Sequence, residues 1–224
     1  MDEVNQIITD SYCLYLGDCC EVLPKLPAES VGFSLFSPPF HSMYTYSDDQ
    51  RDMANARTYD EFFEHFSFLV KELERLMMPG RIVAVHCMDM PTFKRSGDEM
   101  GLRDFPGDII RCFQEHGFIY HSRHCIWKDP LIAAVRTKAI GLAHKQIVKD
   151  SSGCRMGIPD YIVAFRKKGE NPKPVSHERG LIVYHGARSV PGDLSGFINV
   201  QDQGKNKHSH WIWQQYASPV WDDI

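Results

Sequence analysis

Ser37, Pro38, Pro39 and Phe40 stand in a row directly after the apolar run of residues 30–36. Each offers something to a planar substrate that carries N–H donors. The Ser37 hydroxyl oxygen accepts one hydrogen bond. The Pro38 carbonyl, presented by a rigid unit with no donors of its own, accepts a second. Phe40 offers an aromatic face. An exocyclic amino group of a nucleobase suits this set, because its lone pair is delocalised into the ring and makes it a poor nucleophile. Two accepted hydrogen bonds draw the nitrogen toward tetrahedral geometry and localise that pair, while a flipped-out base stacks on the phenyl ring. The remainder is in-line placement against an electrophilic carbon, a proximity effect. Taken alone, the tetrapeptide is equally a turn that ends a strand.

The surrounding pattern says where such a group would sit. Residues 12–16 (YCLYL) are a short β-prone run ending in Gly17-Asp18, after which Val22, Leu23 and Leu26 fall at helical spacing. Residues 30–36 (SVGFSLF) read as a buried strand that stops before Pro38, since proline cannot continue a central ladder. Residues 41–57 are polar and aperiodic, a loop with Tyr44 and Tyr46 that suits a lid. Thr58-Tyr59-Asp60-Glu61 matches a capping box. The helix behind it aligns Phe62, Phe66, Leu69, Leu73 and Leu76 until Pro79-Gly80. Residues 81–87 (RIVAVHC) are a further β-prone run. Pro106 opens another helix, with Ile109, Ile110 and Phe113 inward and Gly117 closing it. Residues 118–127 and 158–165 read as strands, and 130–149 as a helix with a mostly basic outer face. Strands alternating with helices predict an α/β fold with a mostly parallel sheet. In such sheets ligands bind beyond the carboxyl ends of the strands, where the tetrapeptide falls.

Ser-Pro-Pro-Phe after a strand resembles the catalytic motif of the DNA amino-methyltransferases, written (Asp/Asn/Ser)-Pro-Pro-(Tyr/Phe). The block ahead of it is similar too: Leu14-Tyr15-Leu16-Gly17-Asp18-Cys19, then Val22-Leu23-Pro24-Lys25-Leu26-Pro27, then Ser30-Val31. Behind it come a loop, a helix ending in Pro-Gly and a hydrophobic strand, so the resemblance covers about residues 12–166. It implies a Rossmann-like methyltransferase sheet, mostly parallel with an antiparallel C-terminal strand, and S-adenosyl-L-methionine as cofactor. It implies catalysis by Ser37, Pro38, Pro39 and Phe40 on an exocyclic amino nitrogen of a flipped base. By the same resemblance Asp18 accepts a hydrogen bond from the amino group of the cofactor's adenine. Serine in the first position goes mostly with cytosine N4 in this family, which favours that atom, with adenine N6 as the alternative.

One part of the family pattern is not found. A glycine-rich loop, typically Phe-x-Gly-x-Gly, lets the backbone approach the methionine end of the cofactor. No such segment occurs in the sequence, and Gly186-Ala187-Arg188 lacks the pattern. In one subclass the catalytic half comes first and this loop later. The resemblance therefore implies an incomplete sheet with an open edge that invites association. It also implies weak or absent cofactor affinity for the chain by itself, and either a homodimer or a second, loop-bearing half.

The 224 residues, 43% hydrophobic and 24% charged, allow one substantial soluble domain. It reads as a catalytic part over 1–168 and an irregular Trp-rich segment over 169–224. No stretch approaches the ~20 apolar residues of a membrane span. The seven cysteines show no C-x-x-C spacing, which fits a reduced, cytoplasmic protein. A net charge of −4 gives no global attraction to nucleic acid. Positive charge is instead concentrated locally. Trp127-Lys128-Asp129-Pro130, then Arg136-Thr137-Lys138 and His144-Lys145, resemble a block of the family's phage-type members. This implies contacts from Lys128, Arg136, Lys138, His144 and Lys145 to the phosphates of double-stranded DNA. A solvated helix face is the plain alternative.

Other candidates are weaker. His41 reads as the start of a loop. His86, Cys87 and Asp89 at a strand end have poor spacing for a metal, and none is expected. Trp211, Trp213, Tyr216 and Trp221 read as core or interface. Two further function classes stand beside the enzyme. One is a catalytically silent DNA-binding module, favoured by the absent glycine loop. The other is an RNA or protein-glutamine methyltransferase, which shares an Asn-Pro-Pro-Tyr motif; Ser37 and the basic block argue against it.

Overall fold

The structure is a computed structural model that describes residues 5–40, 44, 46–92, 99–136, 148, 157–176 and 213–222, the side chains of 134–136 excepted. A short hairpin of β1 (Asn5–Ile8) and β2 (Cys13–Leu16) comes first. α1 (Cys19–Val22) and a 3-10 turn (Leu23–Lys25) lead into β3 (Val31–Phe36). A second 3-10 turn (Met53–Asn55), α2 (Tyr59–Leu76), β4 (Met77–Met88), β5 (Met90–Thr92) and β6 (Gly101–Arg103) follow. The chain continues through α3 (Phe105–Glu115), β7 (Ile119–Ile126), α4 (Pro130–Arg136), β8 (Asp160–Arg166) and β9 (Val220–Trp221).

The main sheet has the order β3-β4-β8-β7-β9. β3 is parallel to β4, β7 is parallel to β9, and β8 is antiparallel to both β4 and β7. Four strands thus run one way and β8 alone runs against them. The sheet is mostly parallel, as the resemblance implied, but its antiparallel strand is β8 and the C-terminal strand β9 runs with the others.

Local chemistry explains the long helix. Thr58 has extended backbone and its hydroxyl accepts from the Glu61 N–H at 3.1 Å, while Asp60 and Glu61 place negative charge in the first turn. Its buried stripe is Phe62, Phe66, Val70, Leu73 and Leu76. Leu69, expected in that stripe, is half-buried instead. Pro79-Gly80 does not end the helix as expected. Met77 already turns extended and pairs with Val31, and β4 runs through Pro79 and Gly80. Gly80 is needed because φ there is +72°, a value that lets its N–H reach the Lys167 carbonyl at 3.1 Å.

The core lies between α2, α3 and one face of the sheet. Val83, Val85, Cys87, Val163 and Phe165 meet Phe62, Phe66, Ile109 and Phe113 there. Phe113 and Phe165 stack with centroids 4.0 Å apart and planes 6° from parallel. Each fully buried side chain of this kind contributes about 1.5–3 kcal/mol.

The opposite face corrects the reading of residues 30–36 as a buried strand. The register Phe33–Ile82 and Leu35–Ala84 turns Phe33 and Leu35 away from α2, and they are 57% and 60% exposed. β3 is the end strand, with β4 as its one neighbour among the described residues. The aromatic C-terminal cluster also divides. Trp221, in β9, stacks on His124 at 4.8 Å. Residues 213–216 form a helical turn rather than a strand and leave Trp213 exposed. Trp211 lies outside the described residues.

Candidate active site

Strand order brings distant side chains to one end of the sheet. Asp160 opens β8 opposite Met88, so it shares a face with His86 two residues earlier in β4. Asp160 also pairs with Ile126 of β7, which brings Lys128 alongside. Ser37 follows the end of β3, adjacent to β4.

These four residues form a chain of contacts. The Ser37 hydroxyl donates to the His86 carbonyl oxygen at 3.2 Å, and its Oγ also lies 3.2 Å from His86 Nδ1. His86 Nε2 lies 2.7 Å from Asp160 Oδ2, and the Lys128 ammonium makes an ion pair with the same oxygen. Asp160 is only 3% exposed. Burial pushes its carboxyl up, but the hydrogen bonds and charge of His86 and Lys128 outweigh this and hold it below the usual carboxylate range. An ionised carboxylate only accepts, so Nε2 carries the imidazole proton and Nδ1 is left as an acceptor toward Ser37 whenever the ring is neutral. Asp160 Oδ1 is buried with no hydrogen-bond partner among the described residues.

The rest of the tetrapeptide joins this point to the core. Pro38 is buried, whereas Ser37 is exposed. Phe40 is half-buried, edge-on to Phe105 at 6.1 Å and 6.3 Å from the His86 ring.

Pro39 also lines a cavity of about 730 Å³ together with Asp18, Asp49, Asp52 and Leu69. Asp18 caps α1, its Oδ1 accepting from the Cys20 N–H at 2.8 Å. Its other oxygen is 3.9 Å from the exposed Arg51 guanidinium, which pairs more closely with Glu21 (3.0 Å) and Asp49 (3.2 Å). Hydrogen bonds from the Arg51 backbone and side chain hold the Asp49 carboxyl below its usual range. Asp52 gathers the Ser47 N–H and hydroxyl at 3.1 Å each and caps the Met53–Asn55 turn through the Ala54 N–H. The described part of the region read as an aperiodic loop is thus organised around two carboxylates, Asp49 and Asp52. One ligand atom each of Asp18, Cys19 and Cys20 lies within 4.8 Å of the others. Burial, then Cys19 and Asp18, push the Cys20 thiol up to about 11, so it is not a thiolate near neutral pH.

Of the sequence-derived candidates, Pro39 and Asp18 line this cavity, Ser37 contacts His86, and Lys128 turns inward onto Asp160. Arg136 ends α4. Lys138, His144, Lys145 and His41 lie outside the described residues. Two members of the network do not stand out in the sequence: His86 reads there only as a poorly spaced metal ligand, and Asp160 lies within an apolar run. The signal available was a carboxylate opening the strand IPDYIVAF.

No family model matches the chain, and no curated protein matches it in sequence. Solved structures do. TTHA0409 of Thermus thermophilus, provisionally designated a DNA modification methylase and solved in complex with S-adenosyl-L-methionine, is 19% identical with a TM-score of 0.54 over 93% of this chain. The chain spans 65% of the length of that protein. The PvuII DNA methyltransferase, cytosine-N4-specific, is 19% identical with a TM-score of 0.46 over 71% of this chain and 50% of its own. The first likeness defines the fold as that of the Rossmann-like methyltransferases.

Proposed function

We propose that the chain is the catalytic part of a DNA amino-methyltransferase acting on an exocyclic amino nitrogen of a flipped base, cytosine N4 by preference and adenine N6 as the alternative. The observation that carries this reading is the exposed Ser37 hydroxyl, placed where β3 ends and followed by Pro39 on a carboxylate-bearing cavity. Ser37 and the Pro38 carbonyl accept from the amino group, and Phe40 supports the base ring.

S-adenosyl-L-methionine supplies an electrophilic methyl group when bound. The cavity suits it: the volume falls within the range of roughly 300–1,000 Å³ of small-molecule sites, and Asp18 on its wall keeps one carboxylate oxygen outside the α1 cap. Asp18 holds the adenine end through its uncapped oxygen. The glycine-rich loop comes from a further segment or partner. Phosphate contact falls to Arg136, Lys138, His144 and Lys145, since Lys128 is held on Asp160. A hydrolytic Ser–His–Asp role fits less well, because an acyl-transfer nucleophile needs N–H donors for an oxyanion and Pro38 and Pro39 have none.

The test is incubation of the chain with duplex DNA and methyl-labelled S-adenosyl-L-methionine, followed by digestion to nucleosides. Label in N4-methylcytosine supports the reading, and label in N6-methyladenine moves the target atom. Duplex binding without label reduces the chain to a silent binding module.

A further inference from the structure

We infer that His86 takes the proton of the Ser37 hydroxyl, making Ser37, His86, Asp160 and Lys128 a relay that removes the proton shed by the target amino group. This rests on the amino-methyltransferase reading above.

An amino nitrogen that gains a methyl group must lose a proton. In the relay one N–H bond breaks and its electron pair stays on nitrogen. That proton forms a new bond to Ser37 Oγ. The original Oγ–H, turned from the His86 carbonyl to Nδ1 at 3.2 Å, breaks in concert, its pair staying on oxygen and its proton joining the Nδ1 lone pair. Ser37 ends as a hydroxyl and His86 as an imidazolium, with no change of oxidation state.

The structure places a group for each requirement. Asp160 fixes the ring through Nε2–H and offsets the charge that appears on it. Lys128 shares the same carboxylate oxygen, so His86 does not have the Asp160 charge to itself. Because Oδ1 of Asp160 has no partner among the described residues, its compensation runs wholly through Oδ2. His86 and Lys128 are therefore coupled through one oxygen, and loss of one strengthens the hold of Asp160 on the other. The His86 side chain is 32% exposed, so its proton returns to water. Among the described residues, Asp160 and Lys128 are the charged groups bonded into this network, and the Phe40 ring faces it from the tetrapeptide. His86 and Lys128 are positioning residues that act through Ser37 and Asp160.

The test has two arms. The first is nuclear magnetic resonance of the imidazole nitrogens in the whole chain, without cofactor or DNA. His86 is expected as the Nε2–H tautomer. Its titration midpoint should rise in Lys128→Met, where Asp160 serves His86 alone, and fall in Asp160→Asn. An Nδ1–H tautomer, or a midpoint indifferent to Lys128→Met, overturns the relay. The second arm is the methyl-transfer rate against pH. The rate should rise as His86 loses its proton, and that limb should move to higher pH in Lys128→Met. His86→Asn should lose the limb and fall by about 10²–10⁴-fold. Transfer with an unchanged pH profile in His86→Asn overturns the relay while sparing the enzyme. A wild-type chain with no transfer under any condition counts against the enzyme, and the resonance arm still decides the network.

Discussion

The His86 imidazole and the Asp160 carboxylate meet at 2.7 Å although 74 positions separate them in the chain. Their meeting follows from topology. β8 enters the sheet antiparallel to β4, so its first residue arrives where β4 ends. A parallel β8 would have brought Arg166 to that place instead.

Acid should loosen the fold through this pair. The Asp160 carboxyl is held below its ordinary value in the folded chain, so its contribution is fully present above the unfolded value of about 3.9 and is lost as pH falls through the lower folded value. Urea unfolding followed by tryptophan fluorescence from pH 7 to pH 3 should show a steeper acid loss in the wild type than in Asp160→Asn. Parallel curves would remove Asp160 from the acid response.

Ser37→Ala should separate chemistry from folding. Ser37 is exposed, so the unfolding free energy should change by no more than about 0.5 kcal/mol. Methyl transfer should fall by about 10²–10⁴-fold with duplex affinity retained. A variant with undiminished transfer would deny Ser37 its role.

Asp18→Asn should weaken binding of S-adenosyl-L-methionine while sparing the helix. The amide oxygen still caps α1 in place of Oδ1, but the second oxygen becomes an N–H donor that opposes an amino group. Calorimetric titration should show at least about a tenfold loss, ~1.4 kcal/mol. Equal affinity would place the adenine elsewhere.

Gly80→Ala should destabilise the chain by more than about 1 kcal/mol. The backbone there has φ of +72°, and an added Cβ would lie 2.7 Å from the Asn171 nitrogen. A thermal unfolding midpoint equal to wild type would contradict the strained conformation of β4.

Features settled by neighbours in sequence were legible. The Thr58 cap, most of the α2 stripe and the proline that opens α3 depend on residues three or four apart and are found as the spacing predicts, with Val70 in the stripe in place of Leu69. Ser37 at a strand end was legible for the same reason, since prolines stop a ladder. Features settled by distant partners were not. Phe33 and Leu35 look like core residues because their type says nothing of which face is covered. Gly80 reads as a helix stop, but its φ serves a contact with Lys167, far along the chain. Asp160 and His86 become a site only when two strands from separate parts of the sequence lie side by side. β9 is two residues long and takes its place from β7 alone.

The position of β8 also governs how the chain is made. The strand at the middle of the sheet is supplied by residues 160–166, after both of its neighbours. During vectorial synthesis β4 and β7 therefore leave the ribosome with nothing to join them, and each shows a raw ladder edge until β8 emerges. Phe113 likewise waits for Phe165 to cover it. Any nascent chain stopped before Asp160 carries half of an aromatic stack, with β4 and β7 unjoined and their facing edges open to self-association.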